Sequence, residues 1–519
     1  MQIYCFSPFG YEGSLVSVEV DLRRGIPAVD IVGLADGAVK ESRERMRCAI
    51  NNSGLTFPPE RVLINLSPAD LKKEGAGFDL AIALAVLAAK EKMDKGSEGM
   101  QGPVLVMGEL ELNGKVRPVK AVHAAVSTAY AGGIRLAIVP SENADEAREV
   151  DGMKVFGAKD ILEAFRSLYD EKAFSSVSDN DDYGVVPEGT VSIDGILFPP
   201  VPEENDFRFV SGQEDLVRGL QIAAAGGHHV IAYGPPGCGK TLSMMRFPSI
   251  IPLLTKEESQ TSTRIWSIAG LLAPGTNSVV RAPVRIPHQT ASIEGICGGG
   301  PHCNPGEISL AHNGVLFLDE AAEFRTTVLQ MLRVPIEGGS ITLSRAGRST
   351  VFPARFQLLM STNPCPCGNY GSREKICLCS SRSVESYWRK FSGPLLDRID
   401  IRIQVESRPP EGDAMTESTA VSSSQLRVKI ARAIKIQRQR QGKKNVYLSP
   451  AEIAMHCRLS EEAKKILNKA GTKYDLSPRA VSGCMKLART IADMEALDII
   501  DGACMEEAVK YRRPGDIMK

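Results

Sequence analysis

The chain has 519 residues, 43% of them hydrophobic and 24% charged, a length that exceeds what one hydrophobic core supports and predicts two or three soluble domains. Its 62 basic residues balance 62 acidic ones, which excludes a global polyelectrolyte and makes any nucleic-acid contact a local feature. No apolar run reaches the ~18 residues that would argue for a membrane span, and Met1-Gln-Ile-Tyr-Cys-Phe-Ser7 lacks the regions of a signal peptide, so a cytoplasmic protein without membrane contact is expected.

Residues 1–170 read as one α/β unit. Gly13 to Asp21 alternates apolar and polar residues as a half-buried strand does, and Phe78 to Lys90 has the length and Ala/Leu content of a buried helix. Between Tyr169 and Pro202 the composition shifts to Ser, Asp, Gly and Pro, with too little apolar surface to fold alone, and residues 171–205 are read as a linker.

A second α/β domain is expected over 206–405. Its first strand, Val230 to Tyr233, runs into Gly234, Pro235, Pro236, Gly237, Cys238, Gly239, Lys240 and Thr241, with helix expected from Leu242. In that setting the loop's N–H groups and the helix start converge on a triphosphate, Lys240 pairs with the β/γ-phosphates and the Thr241 hydroxyl ligates Mg²⁺. The alternative is a glycine-rich strand-to-helix turn without nucleotide. Gly314-Val-Leu-Phe-Leu-Asp319-Glu320 is an apolar strand ending in two acids, weak as a motif alone but strong beside the loop. Asp319 is the candidate Mg²⁺ holder and Glu320 the general base for the attacking water.

Glu337 to Phe352 reads as a β-hairpin whose tip carries Arg345 and Arg348, either phosphate-gripping groups in a channel or a solvated turn. The stretch around Gly295 to Gly300 is rich in glycine. The strand Phe356 to Thr362 ends at Asn363, a neutral donor suited to orienting the lytic water, and Arg398 follows the apolar pair Leu395-Leu396. An arginine offered across a subunit boundary stabilises charge on a transferring phosphoryl group; a salt bridge inside its own domain is the alternative.

In a reducing compartment the 12 cysteines are not read as disulfides. Cys365, Cys367, Cys377 and Cys379 form a C-x-C-x₉-C-x-C set, read as a structural Zn²⁺ site in preference to free thiols. His228, His229 and His302 are read as packing or turn residues. Beyond a Ser/Pro/Glu-rich stretch from Ser407 to Ser424, residues 406–519 are expected to be helical. Gln425 to Lys444 carries eight basic residues and no acid over a stripe of Leu426, Ile430, Ala433 and Ile434, either a solvated helix side or a nucleic-acid footprint.

Taken in order, these residues resemble the ComM/YifB family of magnesium-chelatase-like AAA+ ATPases. The specific stretches are Val32 to Ala35 with Glu41 to Arg45, Asn65 to Gly75, Pro305 to Gly314, Asn363 to Gly368 and Ala488 to Asp493. The resemblance implies an N-terminal Lon-type domain of the ribosomal-protein-S5 domain 2-like fold, a central P-loop AAA+ parallel α/β sheet and a C-terminal helical lid. It implies an ATPase with ATP and Mg²⁺ that assembles into a ring, usually hexameric. Asn363 takes the sensor-1 role, Arg398 that of a trans arginine finger and Arg479, within Leu476-Ser-Pro-Arg479, that of sensor 2. The resemblance to chelatase-like proteins also implies a second channel loop around Gly295 to Gly300. It further implies DNA branch migration in recombination and natural transformation on single-stranded or branched DNA, with partner remodelling, as in magnesium chelatase, as the alternative. Lon proteases carry a nucleophilic Ser and a later Lys; here Glu74 to Asp79 offers no Ser, and His123 stands where the Lys is expected, so this domain is read as an assembly or substrate-guiding module.

Overall fold

The computed structural model describes residues 1–512 apart from 35, 72, 74, 97–101, 177–185, 274–275, 346–347, 371–374 and 407–420. The middle of the expected linker, most of the Ser407 to Ser424 stretch and the two residues between Arg345 and Arg348 therefore lie outside the described residues.

Near the amino terminus, seven strands form one sheet in the order Val29–Val32, Arg61–Ser67, Ser14–Arg23, Gln2–Ser7, Pro103–Val106, Leu136–Pro140 and Lys154–Ala158. Only Ser14–Arg23 runs against its neighbours. The helix Asp79–Lys95 buries the apolar run Leu80 to Leu87 in this core and stops where Gly96 adopts a left-handed φ of 63°, a conformation glycine takes without a Cβ clash. Inside the segment expected as linker, Val191–Ile193 and Ile196–Phe198 pair as a small hairpin. Its Phe198 is fully buried, with the Arg427 guanidinium 5.0 Å above the ring.

Five strands form the second sheet in the order Val284–Arg285, Val315–Leu318, Gln357–Thr362, Val230–Tyr233 and Ile401–Gln404, and all are parallel. The three central strands are buried throughout, which is why they read as continuous apolar runs with little alternation. Parallel pairing brings their carboxyl ends to one edge of the sheet, so that the chain leaves Tyr233, Leu318 and Thr362 side by side.

Helices Ser423–Gln441, Pro450–His456, Glu461–Tyr474, Pro478–Met494 and Gly502–Arg512 make the C-terminal part. The first starts at a capping box in which Ser422 and Gln425 satisfy each other's backbone N–H, and it buries Leu426, Ile430, Ala433 and Ile434. The whole is a mixed α/β protein with a parallel sheet and a helical C-terminal region. Among the described residues no helix is long and apolar enough to cross a membrane.

Candidate nucleotide site

The loop after Val230–Tyr233 is shaped by its glycines. Gly237 and Gly239 adopt φ of 79° and 84°, and a Cβ on Gly234 would lie 2.0 Å from the Val405 carbonyl oxygen, so only glycine lets the loop pass the neighbouring strand. Lys240 opens the helix Lys240–Met245, and its ammonium donates to the carbonyls of Gly234 at 2.7 Å and Pro235 at 2.8 Å. Burial lowers the Lys240 pKa, while Cys238 and the Asp319 and Glu320 charges oppose that shift. The Gln213 amide donates to the Cys238 carbonyl at 2.8 Å and ties the loop to the helix entrance at Glu214.

The structure brings the loop and the acid pair together. Thr241 Oγ1 donates to Asp319 Oδ1 at 2.9 Å, and Ser361 Oγ donates to the same oxygen. Glu320 takes a left-handed φ of 49°, unusual for a side chain with a Cβ, and its carboxylate accepts from Gln289 Nε2 at 2.6 Å. Asn363 follows the central strand, between the loop and the acids. Sequence reasoning missed Ser361, Gln289 and Gln213. Strand alternation carries a signal for Ser361, which is two residues before Asn363 and so on the same face; nothing local marks Gln289 or Gln213.

Arg398 and Arg479 meet elsewhere. Both guanidinium groups are ion-paired to Glu337, and Arg398 Nη1 also donates to the Pro394 carbonyl at 2.5 Å. The Arg398 pair holds the Glu337 carboxyl below its ordinary value. All three line a 650 Å³ cleft together with His229, Phe356 and Asp400, each of which immediately precedes a strand of the parallel sheet. The cleft is thus at the amino end of the sheet and the phosphate loop at the carboxyl end, separated by a four-residue strand of about 13 Å. Arg512 fixes the Arg398 segment, donating to the carbonyls of Asp397 at 2.5 Å and Ile399 at 2.8 Å and to Asp400 Oδ1 at 2.8 Å. His228 bridges Asp400 Oδ2 at 3.0 Å and Thr490 Oγ1 at 2.8 Å, a packing role.

The expected hairpin forms from Ser340–Arg345 and Arg348–Pro353, with Arg345 opposite Arg348 and both exposed. The turn between the first two strands of the chain holds the hairpin's second strand close to the tip. Tyr11 N donates to Thr350 Oγ1 at 2.9 Å, Arg348 sits 3.5 Å above the Phe9 ring, and a Cβ on Gly10 would collide with Thr350 at 2.2 Å. Gly10 N also donates to the His302 carbonyl at 3.1 Å, so the same turn touches the glycine-rich loop. The basic stretch from 425 to 444 is mostly committed to structure. Arg427 is buried on the Ser249 carbonyl at 2.8 Å, while Lys429, Arg440 and Lys443 pair with Glu495 at 2.7 Å, Asp493 at 2.7 Å and Glu452 at 2.8 Å.

His123 is buried against the helix Lys256–Ala269, where its backbone N–H meets Ser267 Oγ at 3.3 Å, and burial drives its pKa down to about 3. Residues 75–79 contain no serine, and Asp79 is consumed by Ser42, by Arg45 at 2.7 Å and by the Leu110 N–H at 3.2 Å. The thiols of Cys365, Cys367, Cys377 and Cys379 all lie within 4.8 Å of one another, a set that could hold a metal ion.

Comparison with known proteins agrees with this geometry. Residues 206–412 match the family described as magnesium chelatase, subunit ChlI, residues 18–143 match subunit ChlI of Mg-chelatase, and residues 420–512 match the ChlI C-terminal family. YifB of Escherichia coli (strain K12) is 37% identical over 510 residues, covering 98% of this chain and 96% of YifB. Competence protein ComM of Haemophilus influenzae is 37% identical over 511 residues, covering 98% and 97%. A shorter stretch of 164 residues is 30% identical to Lon protease 2 of Bacillus subtilis, 29% of each chain. A phosphate loop tied to paired acids at one edge of a parallel sheet, helices behind it and this full-length similarity have one explanation: the chain belongs to the ComM/YifB family of magnesium-chelatase-like AAA+ ATPases.

Proposed function

We propose that this chain hydrolyses Mg·ATP as a cytoplasmic, ring-forming motor, usually hexameric in its family, that moves single-stranded or branched DNA, most specifically by branch migration in recombination and natural transformation. The observation that carries the reading is the bond from Thr241 to Asp319, which joins the loop that would cradle the triphosphate to the acid that would hold its Mg²⁺. In this reading the loop residues Gly234, Pro235, Pro236, Gly237, Cys238 and Gly239 surround the phosphates, Lys240 turns from its own carbonyls onto the β/γ-oxygens, and Thr241 and Asp319 share the metal. Glu320 takes the proton of the attacking water and Asn363 orients that water. Arg398 and Arg479 belong to the site of the next protomer. The domains are 1–170 (Lon-like), a linker over 171–205, the AAA+ core over 206–405 and the lid over 406–519. Four cysteines, Cys365, Cys367, Cys377 and Cys379, hold a structural Zn²⁺.

The rival, an ATPase subunit remodelling a partner protein as in magnesium chelatase, shares every residue of the nucleotide site. Two observations favour DNA. One full-length relative is a competence protein, and the hairpin exposes Arg345 and Arg348 at its tip, the latter stacked on Phe9. The test is ATP-dependent resolution of a synthetic four-way junction by the purified protein, with Glu320→Gln as control. Resolution by the parent and none by the control is the expected result; hydrolysis without any action on DNA would return the reading to the partner-remodelling alternative.

Replacing Arg345 and Arg348 by Ala is expected to weaken DNA binding at all sequences alike. The slope of log K against log salt should become shallower by about 1.4 for each protomer that loses two single-strand phosphate contacts. Equal affinity and slope for the parent and the double variant would discard the hairpin as the grip.

A further inference from the structure

Resting on the reading of the four cysteines as a Zn²⁺ site, we propose that the zinc-closed turn is the strut that shapes the phosphate loop, so that zinc content sets nucleotide affinity. The sulfur geometry suits the ion. Cys365 Sγ lies 3.4 Å from Cys367 Sγ and 3.7 Å from Cys377 Sγ, and the latter two are 3.6 Å apart. Tetrahedral Zn²⁺ with Zn–S bonds of about 2.3 Å requires S···S separations of about 3.8 Å, whereas a disulfide requires about 2.05 Å. Four thiolates leave no open position on the metal, so its contribution is structural, and its uptake releases the thiol protons.

The turn bears directly on the nucleotide site. Asn363 and Pro364 lead from the central strand into Cys365, and the Gly368 N–H closes the turn on the Cys365 carbonyl at 3.0 Å. Gly368 has a φ of 79°, and a Cβ built on it would stand 2.9 Å from Pro236 Cδ and 4.0 Å from Asn363 Cγ. One face of the phosphate loop therefore rests on the backbone of the cysteine turn, with no space for a side chain between them. Protein contacts secure the start of that turn: Cys365 is buried, and Trp388 Nε1 donates to the Pro364 carbonyl at 3.0 Å. Cys367 is exposed, and Cys377 and Cys379 are half-buried. Cys377 and Cys379 pack against the edge of the apolar core while Cys367 stays exposed, so a metal supplies the bond that ties Cys367 to the other three sulfurs. Without it the turn gains conformational freedom and Pro236 loses its support beside Pro235, whose carbonyl holds Lys240.

The experiment uses the full-length protein. Zinc per chain is measured by elemental mass spectrometry, and the affinity for a fluorescent ATP analogue is measured in excess Mg²⁺ before and after removal of zinc by a zinc-selective chelator and again after zinc is returned. One zinc per chain, with affinity falling about tenfold on removal and returning on reloading, is expected. Cys377→Ser with Cys379→Ser should lose zinc and show the weak affinity without chelator. Pro236→Ala should keep zinc yet lose affinity, because it removes the loop's contact with Gly368 without touching the cysteine turn; it keeps the test open if the cysteine variant fails to fold. Protein purified and reloaded with zinc that retains none would remove the metal site itself. Bound zinc whose removal leaves nucleotide affinity unchanged, with far-UV circular dichroism unaltered, would overturn the strut while leaving the metal site in place.

Discussion

Glu320→Gln is expected to bind ATP as the parent does and to hydrolyse it about 10²–10⁴-fold more slowly, the loss that follows removal of a positioned general base. The two acids have different surroundings. Asp319 is turned into the loop by Thr241 and Ser361, the position of a metal holder, whereas Glu320 accepts from Gln289. Its left-handed backbone, φ 49°, costs about 1–2 kcal/mol for a residue with a Cβ and persists because Asp319 Oδ1 and Ser361 Oγ both accept the Glu320 N–H, each at 3.2 Å. An amide keeps the volume and can still accept from Gln289 through its carbonyl, but it does not take a proton from water. The loss should therefore fall on kcat, with the equilibrium affinity for ATP intact. Equilibrium binding and single-turnover hydrolysis separate the two; parent-like turnover would remove Glu320 from this role.

The parts of the fold that were legible in the sequence are those specified by local pattern. The central strands announce themselves as short apolar runs, and the strand read as starting at Phe356 begins at Gln357. The helix after Thr241 is shorter than its residues suggest. It ends at Met245, and Pro248, which cannot donate to a continuing ladder, stands inside a 3₁₀ turn from Phe247 to Ile250. The hairpin within the expected linker was not legible, because strands of three residues have no stability of their own. Phe198 becomes core only beneath Arg427, more than two hundred residues away.

The site divides in the same way. Gly234 to Thr241 and Asp319-Glu320 are contiguous motifs, each legible because backbone geometry and chemistry are encoded side by side. Ser361, Gln289 and Glu337 act through partners far along the chain, and their identities carry no local mark. The basic stretch 425–444 illustrates the converse. Its charge is plain in the sequence, but the acids that pair with three of its eight cations, Glu452, Asp493 and Glu495, lie elsewhere in the C-terminal part, and only packing reveals those cations as structural. Arg398 was legible as a residue but not as a location, since its end of the sheet follows from strand order and direction.

That location leads to the last prediction. Arg398→Ala is expected to fold and bind ATP but to hydrolyse it about 10³-fold more slowly, as on removal of an arginine that stabilises the transferring phosphoryl group. Within its own chain Arg398 stands at the amino end of the sheet, a strand's length of about 13 Å from the loop that follows Tyr233. A guanidinium side chain anchored at Pro394 and Glu337 does not cross that distance around a packed sheet, which is why the proposed ring assigns it a phosphate on a neighbouring copy. The cleft also holds Arg479 on the same Glu337, so one acid holds two cations at a face that a ring would present to the next nucleotide. Mixing Arg398→Ala with Lys240→Ala then tests the assignment. Neither hydrolyses ATP appreciably alone, but in a randomly mixed ring about one interface in four joins an intact loop to an intact arginine. Partial recovery of hydrolysis is expected under conditions where co-assembly is confirmed by pull-down of a tagged partner. If co-assembled rings stay inactive, Arg398 acts within its own chain and the segment that carries it must move far enough to reach its own phosphate loop.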